Sequence, residues 1–347
     1  MGSLWKTNKG LPGLDFPGTD KKRRAMKAIR FSSVGGPEVL KYEDVELPPP
    51  APGQVRVRHS VIGVNFIDTY QRSGLYKLAL PSGLGSEAAG VVEALGEGVT
   101  SLKIGDHVAY AGTLGAYADA NNVPADRLVK LPANVSDEIA AAAMLKGMTA
   151  QYLLKRTYPV KAGQTILFHA AAGGVGLIAG QWANHLGVQV IGTVGSDGKI
   201  ALAKQNGCAH VLNLSTEDWV RRTREITKGE GVPVVYDSIG KDTWSGSLDC
   251  LSVRGLMVSF GNSSGPVGAF EPGILSAKGS LYVTRPTLAS YVRTGRELQE
   301  TADDLFAVIA SGAVKIQINQ RFKLSEAAKA HEALHSRQTT GATILLP

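Results

Sequence analysis

The run Ala170-Ala171-Ala172-Gly173-Gly174-Val175-Gly176 follows an apolar stretch that ends at His169 and leads into an amphipathic one near Val175. Small residues at such a junction let the backbone approach a pyrophosphate, and a helix N-terminus offers unpaired N–H groups to its charge. The spacing points to a bound dinucleotide. A site selective for NAD ends its second strand on an acidic residue that binds the ribose 2′-hydroxyl. Here the second apolar run, Val188-Gln189-Val190-Ile191-Gly192-Thr193-Val194, ends without one, and Gly195-Ser196-Asp197-Gly198-Lys199 follows. That segment offers a hydroxyl, backbone N–H groups and a cation to a 2′-phosphate, so NADPH is expected over NADH. Asp197 would repel the phosphate if it turned inward, but an Asp in a turn is expected to face solvent.

These residues need strands and helices to hold them. A strand is expected at Gln164 to His169, a helix at Val175 to Leu186, a strand at Val188 to Val194 and a helix at Lys199 to Gln205. Further strands fall at Val211-Leu212, Val234 to Tyr236, Leu256 to Phe260 and Leu281 to Thr284. Strands alternating with helices at this spacing argue for a parallel sheet built of βαβ units. Ahead of them, Ser136-Asp137-Glu138 supplies an N-cap and acidic first turn for an Ala-rich helix to Met144, and a second helix spans Ala150 to Lys155. Residues 26–135 read differently. Period-two alternation marks strands at Lys27 to Phe31 and Gln54 to Val61, with others at Gly90 to Ala94 and Asp106 to Ala109. The Pro-rich stretch Leu47 to Gly53 is a stiff loop. A helix at Glu297 to Ser311 and a strand at Thr343 to Leu346 close the chain.

A length of 347 residues with 44% hydrophobic and 19% charged residues suits a globular protein of two domains, and no apolar run is long enough to span a membrane. The net charge of +7 is uneven. Residues 1–25 carry Lys6, Lys9, Lys21, Lys22, Arg23 and Arg24 against Asp15 and Asp20, and the remainder is nearly balanced. Nucleic-acid binding is therefore not expected of the folded part. Residues 1–25 read as a disordered extension; a transit peptide is the alternative, though the segment has acids and little Ser. Cys208 and Cys250 form no Cys-x-x-Cys pair and read as small buried hydrophobes in a reducing, cytoplasmic setting. The seven histidines form no tight cluster, and a structural or exposed role is expected for each.

Several separated motifs add specificity: Asn65-Phe66-Ile67-Asp68-Thr69-Tyr70, Leu145-Lys146-Gly147-Met148-Thr149, Tyr236-Asp237-Ser238-Ile239-Gly240, Phe260-Gly261-Asn262-Ser263-Ser264-Gly265 and Val283-Thr284-Arg285-Pro286. With the glycine turn they resemble the zeta-crystallin-like quinone oxidoreductases of the medium-chain dehydrogenase/reductase superfamily, close to its bacterial members, over Met26 to Pro347. The resemblance implies an α/β fold, with a Rossmann doubly wound parallel sheet domain (149–288) inserted in a GroES-like, partly open β-barrel domain (26–148 and 289–347). It also implies NADPH as cofactor, a small quinone as substrate, a homodimer joined at the sheet edge around Leu281 to Thr284, and a site in the interdomain cleft. Zinc alcohol dehydrogenases of the superfamily carry Cys where Asn65 stands and Gly-His-Glu where this chain has Gly85-Ser86-Glu87. Without that Cys and His the zinc ligand set cannot assemble, so hydride transfer without metal is expected.

By the same resemblance, Gly173, Gly174 and Val175 hold the pyrophosphate, Gly195, Ser196 and Lys199 face the 2′-phosphate, and Arg337 contacts the cofactor. Ser238, Phe260, Gly261, Asn262 and Ser263, with Pro286, Thr287 and Leu288, cover the adenosine and nicotinamide. Phe66, Ile67, Thr69 and Tyr152 complete the cofactor contacts. Asn65, Asp68, Tyr70 and Thr149 are expected to line the nicotinamide end, and Tyr70 and Tyr76 the acceptor side, where each offers a flat face and a phenol. Leu214 stands where many relatives have a Tyr near the adenosine, which implies weaker preference for NADPH. Two other functions stay open. One is reduction of an α,β-unsaturated aldehyde or ketone, with Tyr70 as candidate proton donor; the other is a crystallin-like or RNA-binding protein that retains NADPH binding.

Overall fold

The computed structural model describes residues 24–347. The expectation of a disordered extension falls outside the described residues for 1–23, and at 24–25 it is corrected. Arg24 and Ala25 already belong to a strand, pairing with Leu47 and Glu46.

The N-terminal part lays down β1 (Arg24–Phe31), β2 (Lys41–Leu47), β3 (Gln54–Val64), α1 (Phe66–Ser73), β4 (Ser82–Gly83), β5 (Glu87–Leu95), β6 (His107–Ala111), β7 (Ala120–Pro124) and β8 (Val129–Lys130). The middle alternates α2 (Asp137–Tyr152), β9 (Thr165–Phe168), α3 (Gly174–His185), β10 (Gln189–Val194), α4 (Ile200–Gln205), β11 (Cys208–Asn213), α5 (Trp219–Ile226), β12 (Val232–Asp237), α6 (Trp244–Cys250), β13 (Leu251–Ser259), α7 (Gly273–Ala277) and β14 (Tyr282–Thr284). The chain ends with α8 (Leu288–Tyr291), α9 (Gly295–Ala310), β15 (Ile318–Lys323), α10 (Ala327–His335) and β16 (Ala342–Leu346).

The middle strands form a parallel six-stranded sheet in the order β11-β10-β9-β12-β13-β14. Counted within the sheet that is 3-2-1-4-5-6, so the direction of winding reverses between β9 and β12, where open α/β sheets open a crevice at their carboxyl ends. Ile166 to Phe168 of β9 and Val190 to Val194 of β10 are buried without alternation, as strands covered on both faces must be. A second sheet runs β15-β16-β3-β5-β6-β8, with β7 on β3, and a three-stranded sheet runs β2-β1-β4. β16 pairs antiparallel with β3, so the C-terminus returns to the N-terminal lobe.

The lobes share α2. Ser136 caps it, accepting from the Ile139 N–H at 3.2 Å, as its sequence predicts. The two helices expected at 136–144 and 150–155 are one, because the Leu145 to Thr149 segment continues the helix through Gly147. A domain boundary between Met148 and Thr149 therefore falls inside a continuous helix. Ala140 to Ala143 are fully buried, and the helix approaches β3 closely where Gly63 lacks a Cβ, which would lie 2.4 Å from Ala141 O. One hydrophobic core runs from Val61, Ala89 and Ala109 through Met144 and Met148 to Ile166 and Trp182.

Candidate active site

A cavity of about 1460 Å³ opens between the lobes at the carboxyl ends of β9, β10 and β12. Arg127, Lys146, Lys199, Arg285, Arg293 and Arg337 line it, with Asp242 the carboxylate among its lining residues. Such a wall suits an anionic ligand.

One end is built by the turn from β9 to α3. Ala170 takes a left-handed backbone, φ +54°, and its carbonyl accepts the Gly173 N–H at 2.9 Å. A Cβ on Gly176 would lie 2.4 Å from Ala170 O, so only glycine lets α3 start so close to the turn. No side chain caps α3, and Gly173 to Gly176 at its start line the cavity. The cradle fits a pyrophosphate. From the other lobe, Gly341 donates its N–H to Ala172 O at 3.0 Å, bringing residues 336–341 over the turn. Lys199 Nζ donates to Arg337 O at 2.6 Å and to Thr339 O at 3.2 Å. Burial, then the Arg337 charge, hold the Lys199 ammonium below the ordinary lysine range. Asp197 is exposed, and its carboxylate accepts the Asn213 amide at 2.7 Å.

The other end gathers α1 and α2. Asn65 gives its amide to Glu87 Oε2 at 2.8 Å, and Thr149 donates its hydroxyl to Leu145 O at 2.7 Å. Tyr70 and Tyr76 meet edge to face, with ring centroids 5.3 Å apart. The Tyr70 oxygen accepts the Asn262 N–H at 2.9 Å, which leaves its own proton to donate; burial pushes its pKa up to about 12 and keeps that proton in place. Arg285 donates to the Tyr76 oxygen at 2.9 Å. With its amide turned to satisfy both atoms, Asn262 Oδ1 accepts from Tyr76 at 3.3 Å and from Arg285 at 3.0 Å. These bonds tie α1 and its loop to the opposite wall.

Asn65, Phe66, Ile67, Tyr70, Tyr76, Thr149, Tyr152, Gly173, Gly174, Val175, Gly195, Ser196, Lys199, Ser238, Phe260, Gly261, Ser263, Pro286, Thr287, Leu288 and Arg337 all line the cavity, as does Leu214. Three expected residues do not. Asp68 and Thr69 lie on the opposite face of α1, because about 100° per residue turns 68, 69 and 72 inward while 66, 67, 70 and 71 face the cavity. Asp68 Oδ2 instead accepts the Asn65 N–H at 2.8 Å and the Tyr117 hydroxyl at 3.0 Å, and Thr69 donates to Phe66 O at 2.7 Å. Asn262 stands behind the lining and braces the two tyrosines. Lys146 and Arg285 sit in motifs the sequence singled out, yet their place on the wall was missed; a cation inside a largely apolar helix such as α2 was the available signal for Lys146.

His59 and His169 are core side chains. His59 bonds Ala118 O at 2.7 Å and the Tyr110 hydroxyl at 2.9 Å, and burial lowers its pKa to about 4. His169 bonds Thr193 at 2.8 Å and Ser247 at 2.9 Å. Both cysteines are buried, and burial pushes each thiol up to about 12. Among the described residues, no helix is long and apolar enough to cross a membrane.

Residues 51–133 match the model of the alcohol dehydrogenase GroES-like domain, and residues 174–307 that of the zinc-binding dehydrogenase. The chain is 59% identical over 323 residues to a quinone oxidoreductase of Pseudomonas aeruginosa, across 92% of this chain and 99% of the relative. It is 46% identical to a 2-haloacrylate reductase of a Burkholderia species, across 90% of this chain and 96% of the relative. The crystal structure of Escherichia coli quinone oxidoreductase complexed with NADPH matches it with a TM-score of 0.91 at 53% identity, across 92% of this chain and all of that one. With such identity over nearly its whole length, the chain belongs to the quinone oxidoreductase family of the medium-chain dehydrogenase/reductase superfamily.

Proposed function

We propose that this protein reduces small quinones with NADPH by direct hydride transfer, without a metal. The observation that carries the reading is the cradle: uncapped N–H groups of α3 for a pyrophosphate, with Ser196, Lys199 and Arg337 beside it where a carboxylate would select NAD. NADPH supplies the hydride from C4 of its dihydronicotinamide ring. The protein's task is alignment and exclusion of water. Phe66, Ile67 and Thr149 pack one end of the cofactor's path, and Tyr152, stacked on Tyr291 with centroids 4.4 Å apart, stiffens it. Tyr70 keeps a proton available for an acceptor oxygen that gains charge. Asn65 and Ser86 offer neither thiolate nor imidazole, and the Asn65 amide is already committed to Glu87, which supports catalysis without zinc.

The assembly we propose is a homodimer in the cytoplasm. β14 ends the six-stranded sheet with Tyr282 62% exposed, and Val253 of the neighbouring β13 is 71% exposed, apolar surface suited to pairing with a second copy. Sedimentation at micromolar concentration should give twice the chain mass; a monodisperse monomer would refute the dimer.

Steady-state oxidation of NADPH with 1,4-benzoquinone, a naphthoquinone and an enone tests the activity, with NADH in parallel. Quinone turnover with NADPH well above NADH is expected. Faster turnover of the enone moves the substrate class, and no turnover with any acceptor favours a binding protein.

A further inference from the structure

Lys146 lies on α2 with its side chain 7% exposed, and it lines the cavity, whereas its ion-pair partner Glu87 is fully enclosed and does not. Glu87 accepts three hydrogen bonds from protein donors. Oε1 accepts the Leu145 N–H at 2.6 Å, and Oε2 accepts the Asn65 amide at 2.8 Å and the Lys146 ammonium at 2.9 Å. The pair is therefore one-sided, its negative end wrapped in protein and its positive end on the cavity wall. An ammonium has three N–H donors and Glu87 engages one. The stem is fixed as well. A Cβ on Gly174 would lie 2.8 Å from Lys146 Cδ and 3.1 Å from its Cε, so the missing methyl of the dinucleotide turn is the space through which Lys146 reaches Glu87.

We infer that Lys146 is a catalytic residue whose ammonium donates a hydrogen bond to the acceptor oxygen that becomes an oxyanion. The inference rests on the quinone-reductase reading. In the balanced step the hydride brings two electrons and one hydrogen nucleus to the quinone. That hydrogen forms a bond to one quinone oxygen, both carbonyl π bonds break as the ring becomes aromatic, and the displaced pair settles on the other oxygen, which then takes a proton from water. NADPH, quinone and one proton thus give NADP+ and hydroquinone. Lys146 keeps its own protons throughout, because Glu87 holds the positive charge where the new negative charge appears.

Lys146→Gln, Lys146→Arg and the double variant Lys146→Gln/Glu87→Gln test this, the last avoiding an unpaired buried carboxylate. For Lys146→Gln, kcat with 1,4-benzoquinone should fall roughly 100-fold, as for other oxyanion donors. NADPH affinity by fluorescence titration should stay within about twofold, and Lys146→Arg should recover most of the rate. A merely structural lysine would lower NADPH affinity and Tm together with kcat, and that result overturns the inference. A second readout needs no turnover: 4-nitrophenol titrated by absorbance in the NADP+ complex. Bound to the wild type it should ionise at lower pH than in water, and in either Gln-bearing variant that shift should vanish. An equal shift in wild type and variants, or no phenolate binding by the wild type, overturns the inference even if quinones are turned over. Absence of wild-type quinone turnover instead overturns the reading beneath it.

Discussion

Leu214 borders the cavity beside the end of β10, its N–H donated to Val194 O at 2.9 Å. An aromatic ring there would add a stacking face and a hydroxyl near the 2′-phosphate cations. Leu214→Tyr should tighten NADPH binding by about 1 kcal/mol, roughly fivefold, with less effect on NADH, as read by fluorescence titration. Unchanged affinity for both cofactors would remove Leu214 from the selectivity wall. Asp68 poses a separate question of pH. Burial raises its carboxyl from 3.8 to about 7, against the Asn65 N–H and Tyr117 hydroxyl that pull it down, and its Oδ1 is buried without a hydrogen-bond partner. Between those two values the unfolded chain is ionised while the folded chain keeps the proton. Stability from this group is therefore full below about pH 4 and is lost as pH rises toward about 7. Urea unfolding across that window should show Asp68→Asn gaining on the wild type as pH rises; a constant difference would contradict it. The glycine turn was legible because contiguous small residues carry their chemistry in their order. The role of Asp68 was not, because a motif read as a string loses the helical phase that sends neighbouring residues to opposite faces.

At the scale of elements, the turn from β9 into α3 depends on a contact that a single methyl would break. Gly176→Ala would put a Cβ 2.4 Å from Ala170 O and 2.7 Å from Ala171 Cα, backbone atoms at a turn whose first residue is already in the left-handed region. The cost should be about 2 kcal/mol of stability, with a loss of NADPH affinity out of proportion to it, checked by chemical denaturation and by titration of the folded variant. Retained affinity would mean that α3 can start elsewhere. The βαβ alternation around this turn was readable to within a residue or two, since buried parallel strands and an amphipathic helix leave clear periodicities. Other helices were harder to read. α1 is rich in aromatic and β-branched residues, which favour strands, and α5 (Trp219–Ile226) is mostly polar. The break expected within α2 spans Gly147, whose missing Cβ makes room for Leu305 of α9, at 2.4 Å from the Cδ1 atom. Tertiary packing there overrides local propensity.

For the whole molecule, the distribution of charge is legible in the order of residues alone: the basic N-terminal stretch stands apart, and a few cations concentrate where phosphates would bind. The joining of the lobes is not, because it depends on contacts between residues far apart in the chain. Met144 and Met148 of α2 pack into one core with strands of both large sheets, while β16 closes the N-terminal sheet only after the chain has passed through the other lobe. Neither lobe can be completed without an element that the other also requires. Heating should therefore produce one calorimetric peak whose van't Hoff and calorimetric enthalpies agree per cooperative unit, and amides along α2 should exchange with deuterium only on the timescale of global unfolding. Movement of the cleft must then be rotation around a rod that stays folded, with the strain taken up beyond its two ends.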